Sequence, residues 1–167
     1  TPAPDSDFGD HSAFATASSR VDSGLRIGAT TDVEVAAFAN TTATGDDING
    51  IDDEDGVTIP ATITQGGLTT ITVNVTNNTG APAYLNAWID YNQNGSLSDS
   101  GEQIAVNTVV ATGVTNVNRT LTFTVPANAT LGSAGVRVRL TSTSSPGATG
   151  ASGIGEVEDY VATVVVP

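Results

Sequence analysis

The sequence predicts an all-β protein, an antiparallel β-sandwich, and three observations carry the prediction. Apolar and polar residues alternate at period two through four separate runs, the mark of half-buried strands. Turn-forming residues separate these runs. No segment shows the 3.6-residue period of an amphipathic helix.

In chain order, residues 1–45 are rich in Ala, Thr, Ser and Asp and weakly patterned, and they read as an extended N-terminal arm. The domain proper is expected over residues 46–167. From Val57 the pattern turns to strands. Ile71, Val73 and Val75 alternate with Thr70, Thr72, Asn74 and Thr76; Leu85, Ala87 and Ile89 alternate with Tyr84, Asn86, Trp88 and Asp90. Leu121, Phe123 and Val125 alternate with threonines, and Val136, Val138 and Leu140 alternate with Arg137, Arg139 and Thr141. Turns are expected at Gln65-Gly66-Gly67, Asn77–Gly80, Asn94-Gly95 and Ser145-Pro146-Gly147. The last run, Tyr160 to Val166, is apolar on both faces apart from Thr163, which suits a strand covered on both sides or an edge awaiting a partner. About seven or eight short strands with such turns argue a sandwich of jelly-roll or immunoglobulin-like type.

At 167 residues the chain is long enough for one buried core, and one domain is the default. The net charge is -13, with no Lys and five Arg, which disfavours nucleic acid and anionic lipid as partners. No apolar run is long enough to cross a membrane as a helix. The chain opens on Thr-Pro-Ala-Pro without Met, as a processed mature chain does. Cys is absent, so disulfides, thiolate metal sites and Cys nucleophiles are excluded. An acidic, Thr/Asn/Gly-rich, Lys-free composition points to a bacterial extracellular or cell-surface protein.

Twelve of the eighteen acids fall in three short segments, Asp46–Asp55, Asp90–Glu102 and Glu156–Asp159. Carboxylates so crowded repel one another unless they stay solvated or a cation neutralises them. Oxygen-only ligands suit a hard cation, and Ca²⁺ leads. Asp90, Asn92 and Asn94, followed by Gly95, reproduce the opening of a calcium loop, with side-chain oxygens at positions one, three and five and Gly at six. Ser96 would offer its carbonyl. Position twelve is Gly101, so Asp99 or Glu102 must close the ring. The flanking segments are strand-like, so this is a calcium loop between strands and not an EF-hand. A second site is expected among Asp46, Asp47, Asn49, Asp52, Asp53 and Asp55. Glu156, Glu158 or Asp159 either completes that second site or pairs with Arg137 and Arg139 across a sheet ladder.

Three strings together resemble the GEVED domain: GEVEDY at 155–160, WIDYNQNGSLSDSGE at 88–102 and GDDINGIDDEDGV at 45–57. Asp7-Phe8-Gly9-Asp10 is similar to the DYGDAPDSY segment that often precedes such domains, although His11-Ser12-Ala13-Phe14 departs from it. The resemblance covers nearly the whole chain. It implies a secreted β-sandwich with calcium sites, of the kind found in large bacterial surface proteins, and it does not imply a catalytic activity.

A catalytic site is not expected. The lone histidine, His11, lies in the arm, which leaves a Ser-His-Asp arrangement or a zinc site without its parts; it is expected on a surface or in one hydrogen bond. Trp88 and Tyr84 form a small aromatic patch, expected to pack against the arm or a neighbour rather than to line a sugar cleft. Six N-x-S/T sequons, at Asn40, Asn74, Asn77, Asn94, Asn118 and Asn128, are acceptors if the chain is a glycoprotein, and Asn94 cannot readily be both acceptor and ligand. Two functions follow. One is a calcium-stapled structural subunit of an extracellular filament or matrix, its arm docking head to tail on a neighbouring copy or on other surface proteins. The other is a calcium-dependent adhesin or carbohydrate-binding module with a glycan partner.

Overall fold

The computed structural model describes residues 6–31, 33, 39–44 and 54–167. Among them there is no α-helix, and eleven strands form two sheets. They are β1 (Ser6–Phe8), β2 (Ala17–Arg20), β3 (Leu25–Ile27), β4 (Val57–Thr58), β5 (Thr62–Thr64), β6 (Leu68–Asn77), β7 (Ala83–Ile89), β8 (Gln103–Val110), β9 (Val114–Thr124), β10 (Gly132–Thr141) and β11 (Gly150–Val165). The larger sheet runs β1-β2-β11-β10-β7-β8, with β5 also on β11. The smaller runs β3-β6-β4, with β9 on β6.

The period-two runs account for the core. Ile71, Val73 and Val75 on β6 and Leu121 and Phe123 on β9 meet Leu85, Ala87 and Ile89 on β7 and Val136, Val138 and Leu140 on β10 between the sheets. On β6 and β9 the outward neighbours are polar and pair across the ladder: the Thr70 and Thr122 hydroxyls lie 3.1 Å apart, and Asn74 donates to Asn118 at 2.9 Å. Ile63, Leu25 and Ile27 close the two ends of this layer.

The expected purely antiparallel sandwich needs correction, because the larger sheet is mixed. β11 pairs antiparallel with β10, Gly132 opposite Val164 through Thr141 opposite Gly155, but parallel with both β2 and β5. At this end β11 is an interior strand, with β10 on one side and β5 on the other; in the run Tyr160 to Val166, Ala162 and Val164 face the core, while Val161 and Val165 are half-buried and Thr163 and Val166 exposed. The arm does not stand apart from the sheets: β1 and β2 extend the larger sheet, and β3 pairs antiparallel with β6 in the smaller.

Candidate functional site: the 90–102 loop and the buried charge pair behind it

The loop between β7 and β8 is shaped by its own side chains. Asp90, at the end of β7, is buried; its Oδ1 accepts the Asn94 N–H at 3.1 Å and its Oδ2 the Gly95 N–H at 2.8 Å. Asn92 Oδ1 accepts from Asn94 N–H at 3.0 Å, and Asn94 Oδ1 accepts from Ser96 N–H at 2.8 Å. Short polar side chains bonding backbone two to five residues on curl a chain tightly. Gln93 and Gly95 complete the curl in the left-handed region, at φ 57° and 82°. Any side chain at Gly95 would also strike the arm, since a Cβ would sit 2.7 Å from the Ala13 carbonyl oxygen.

The far end of the loop returns to the same place. The side-chain amides of Asn92 and Asn94 both donate to Asp99 Oδ2, at 3.0 and 2.8 Å, and these bonds hold the exposed Asp99 carboxyl below its usual pKa. Glu102 is 2% exposed; its Oε2 accepts the Asp99 N–H at 3.3 Å, and its Oε1 is buried without a hydrogen-bond partner. Burial, and next the nearby charge of Asp90, raise the Glu102 pKa. Glu102, Tyr91, Asn92 and Asn128 line a small polar cavity of about 150 Å³, and the buried Tyr91 hydroxyl also has no partner. Its pKa is raised by burial and by Glu102.

The structure therefore brings Asp90, Asn92, Asn94, Asp99 and Glu102 together. The Ser96 hydroxyl turns away to Ser98 at 2.9 Å, leaving only the carbonyl as its candidate ligand. Among the described residues no three Asp, Glu, His or Cys side chains cluster closely enough to hold a metal by themselves, so the donor set here is carboxylate plus amide. That mix, with a buried and partly unpartnered carboxylate, fits a hard oxygen-seeking cation. Of the expected second site, Asp46, Asp47, Asn49, Asp52 and Asp53 lie outside the described residues. Asp55 Oδ1 accepts the Ala29 N–H at 2.9 Å.

The third acidic segment behaves differently. The ladder sets Asp159 opposite Arg137, whereas Glu156 and Glu158 stand opposite Leu140 and Val138 on the other face. Of the ladder pairs expected between this segment and the arginines one forms, Arg137 with Asp159, and the register decides it. Arg137 and Asp159 are both fully buried; Nε donates to Oδ1 at 2.8 Å and Nη2 to Oδ2 at 2.7 Å, a bidentate fork. Arg137 Nη1 donates to the carbonyls of Ala15 and Ala148 at 2.8 and 2.9 Å, and its guanidinium lies 5.1 Å over the Phe14 ring. Arg139, equally buried, donates to Ser18 O at 2.8 Å and Gly147 O at 3.1 Å; burial, then the like charge of Arg137, pull its pKa down to about 10.

The remaining acids cap backbone N–H groups on strand rims. Asp159 Oδ2 accepts the His11 N–H at 2.9 Å, Asp7 Oδ2 accepts the Val157 N–H at 2.6 Å, and Glu156 Oε2 accepts the Ile27 N–H. Glu158 accepts the Tyr160 hydroxyl at 2.8 Å. Gly9 permits this docking, because a Cβ there would lie 2.7 Å from both Arg137 Nη2 and Asp159 Oδ2. Composition alone could not reveal these caps, because the acids and N–H groups that meet lie 129 to 150 residues apart in the chain.

His11 is buried rather than on a surface. Its Nδ1 accepts the Ala13 N–H at 3.2 Å, and its ring stacks on Phe14 at 4.6 Å. Burial lowers its pKa, against the opposing pull of Asp159. Trp88 packs with Phe14 and Leu97 under the arm and is 4% exposed. Asn77 is buried with its amide donating to Ala81 O and Val110 O, which removes it as a glycan acceptor in the folded chain.

Among curated proteins none matches the chain. One solved structure similar in part is the CARDB domain of a Pyrococcus furiosus protein, with a TM-score of 0.39 and 16% identity, covering 65% of this chain and 90% of that one. The GEVED domain family model matches residues 84–163, a narrower span than the resemblance implied, since the arm and the 45–57 string fall outside it. The matched span holds the 90–102 loop, Arg137 with its partner Asp159, and the string Gly155–Tyr160, and over that span the chain is similar to the GEVED domain.

Proposed function

We propose that the chain is a calcium-stabilised structural subunit of an extracellular bacterial filament or matrix, assembled by strand addition between copies of itself. The supporting observation is the manner in which residues 6–27 join the sandwich. They do so through three strands of three or four residues, β1 and β2 at one end of the larger sheet and β3 at an edge of the smaller, with carboxylate bonds tying β1 and β3 to β11. The same contacts are open to the arm of a neighbour, because a stretch of 29 residues, 28–56, separates β3 from β4 in sequence. At up to about 3.3 Å per residue, that stretch is long enough to reach an adjacent sandwich. Head-to-tail docking of this kind does not close on itself and gives a filament.

Calcium would be held by Asp90, Asn92, Asn94, the Ser96 carbonyl and Glu102. Glu102 is the better closing ligand than Asp99, because it is a buried carboxylate with an oxygen left unpartnered. A second ion would use the 46–55 acids, with Glu156, Glu158 or Asp159 completing the set. The chain has no catalytic role in this reading. The alternative is a calcium-dependent adhesin or carbohydrate-binding module, favoured by a groove of about 500 Å³ beside the loop, walled by Trp88, Asp99, Gln103 and Ser145.

Electron microscopy of the purified chain with calcium separates the readings. Filaments are expected, and a chain lacking residues 1–20 should be a folded monomer that takes up an added 1–20 peptide. A full chain that stays monomeric at high concentration with calcium overturns the filament reading.

A further inference from the structure

We propose that a cation in the 90–102 loop fastens the N-terminal arm to the sandwich, so that calcium occupancy and arm docking form one linked equilibrium; this rests on the calcium reading above. Two sets of contacts join loop and arm, and a third holds the arm's turn in place. The loop backbone at Gly95 lies directly against the Ala13 carbonyl, with no room for a side chain between them. Phe14 of the arm sits with Leu97 of the loop and Trp88, which lies two residues before Asp90, in one small apolar cluster separate from the main core. The arm's turn is held in register by His11 N–H on Asp159, Ser12 N–H on the Asn40 carbonyl at 2.8 Å, and Phe14 N–H on the His11 carbonyl at 3.0 Å.

Without a cation, the like charges of Asp90 and Glu102 face each other across the loop, and its two ends are held by the Ile89 N–H on the Glu102 carbonyl at 2.9 Å and by the amide bonds to Asp99. A cation would pull these side chains onto one point. That would fix residues 94–97, the surface on which Ala13 and Phe14 rest. The converse holds by thermodynamic necessity: an arm that leaves uncovers Leu97 and Trp88, loosens the loop and weakens cation binding by the same factor. Calcium would thereby decide when the arm is free to exchange between copies and when it is sealed in place.

Hydrogen–deuterium exchange on the full chain, in millimolar calcium chloride against chelator, reads both halves at once. The amides of residues 94–97 report cation binding, and those of His11, Ser12 and Phe14 report the arm. Both sets are expected to slow, the arm by about 5–150-fold, the usual range of such couplings. Slowing at 94–97 with no change at 11–14 overturns the inference and leaves the calcium site standing. No change at either overturns the calcium reading, and the inference falls with it. In calorimetry, Phe14→Ala should weaken calcium binding by the factor found for the arm, while Thr70→Ala, on the far sheet, should not; equal affinity in the two variants also overturns the inference.

Discussion

Arg137 is fully buried and touches Asp159, the Ala15 and Ala148 carbonyls and the Phe14 ring, which makes it the residue on which the sheet, the arm and the 148 loop depend together. Removing one member of a buried pair strands the other's charge. Arg137→Ala should therefore cost about 3–5 kcal/mol in denaturant unfolding. The double change Arg137→Met with Asp159→Leu should cost clearly less, because no buried charge is left behind. His11 supplies a pH-dependent contribution. Its folded pKa is depressed below 6.5, so the unfolded chain takes up a proton first as pH falls. Stability from this group is full above pH 6.5 and is lost as pH drops through the depressed value. Denaturation midpoints from pH 8 to 5 should fall more steeply for the parent than for His11→Phe, which keeps the stack on Phe14 and cannot titrate.

At the scale of elements, β11 organises the molecule. It is sixteen residues long and takes partners from the arm, from β5 and from β10. Its parallel partners leave N–H groups between them, and side-chain carboxylates cover part of that gap, as Asp7 does for Val157. The arm lies close enough for this only where Gly9 crosses Arg137 and Asp159. Gly9→Ala should destabilise the chain by about 1–3 kcal/mol through overpacking. Limited proteolysis should then cut within residues 1–27 sooner than in the parent, with the body from β4 onward still resistant. An unchanged cleavage pattern would show that the crossing is looser than these distances state.

For the whole molecule the dominant quantity is a charge of -13 with few cations inside the chain to offset it. A bound divalent ion lowers that self-repulsion and, by binding only the folded form, adds stability by mass action. For a weak extracellular-type site with a Kd of about 10⁻⁴ M, 10 mM calcium would add about 2.7 kcal/mol. In a domain of this size that corresponds to a rise of about 5–10 °C in Tm. Magnesium should give a smaller shift, because it demands tighter octahedral geometry and keeps its waters. Glu102→Gln should abolish most of the calcium-dependent rise. A melt unchanged by chelator would remove calcium from the account.

Much of this was determined by the sequence alone. The alternating runs at 71–75, 85–89, 121–125 and 136–140 name the buried face, because side-chain direction in a strand depends only on the parity of the position. The oxygens at 90, 92 and 94 with Gly95 name the loop, because its bonds are local. The tertiary structure alone decided the rest. That Asp159 and not Glu156 or Glu158 meets Arg137 follows from the β10–β11 register, which a one-residue slip would reverse. That β11 has parallel neighbours, that Glu102 is the buried end of the loop, and that Asp7, Gly9, His11 and Phe14 of a weakly patterned arm close over the charge pair all depend on contacts between distant segments. Local pattern carries no information about which distant backbone will come to rest against it, and in this chain those meetings turn acids scattered through the sequence into buried, paired and capped carboxylates.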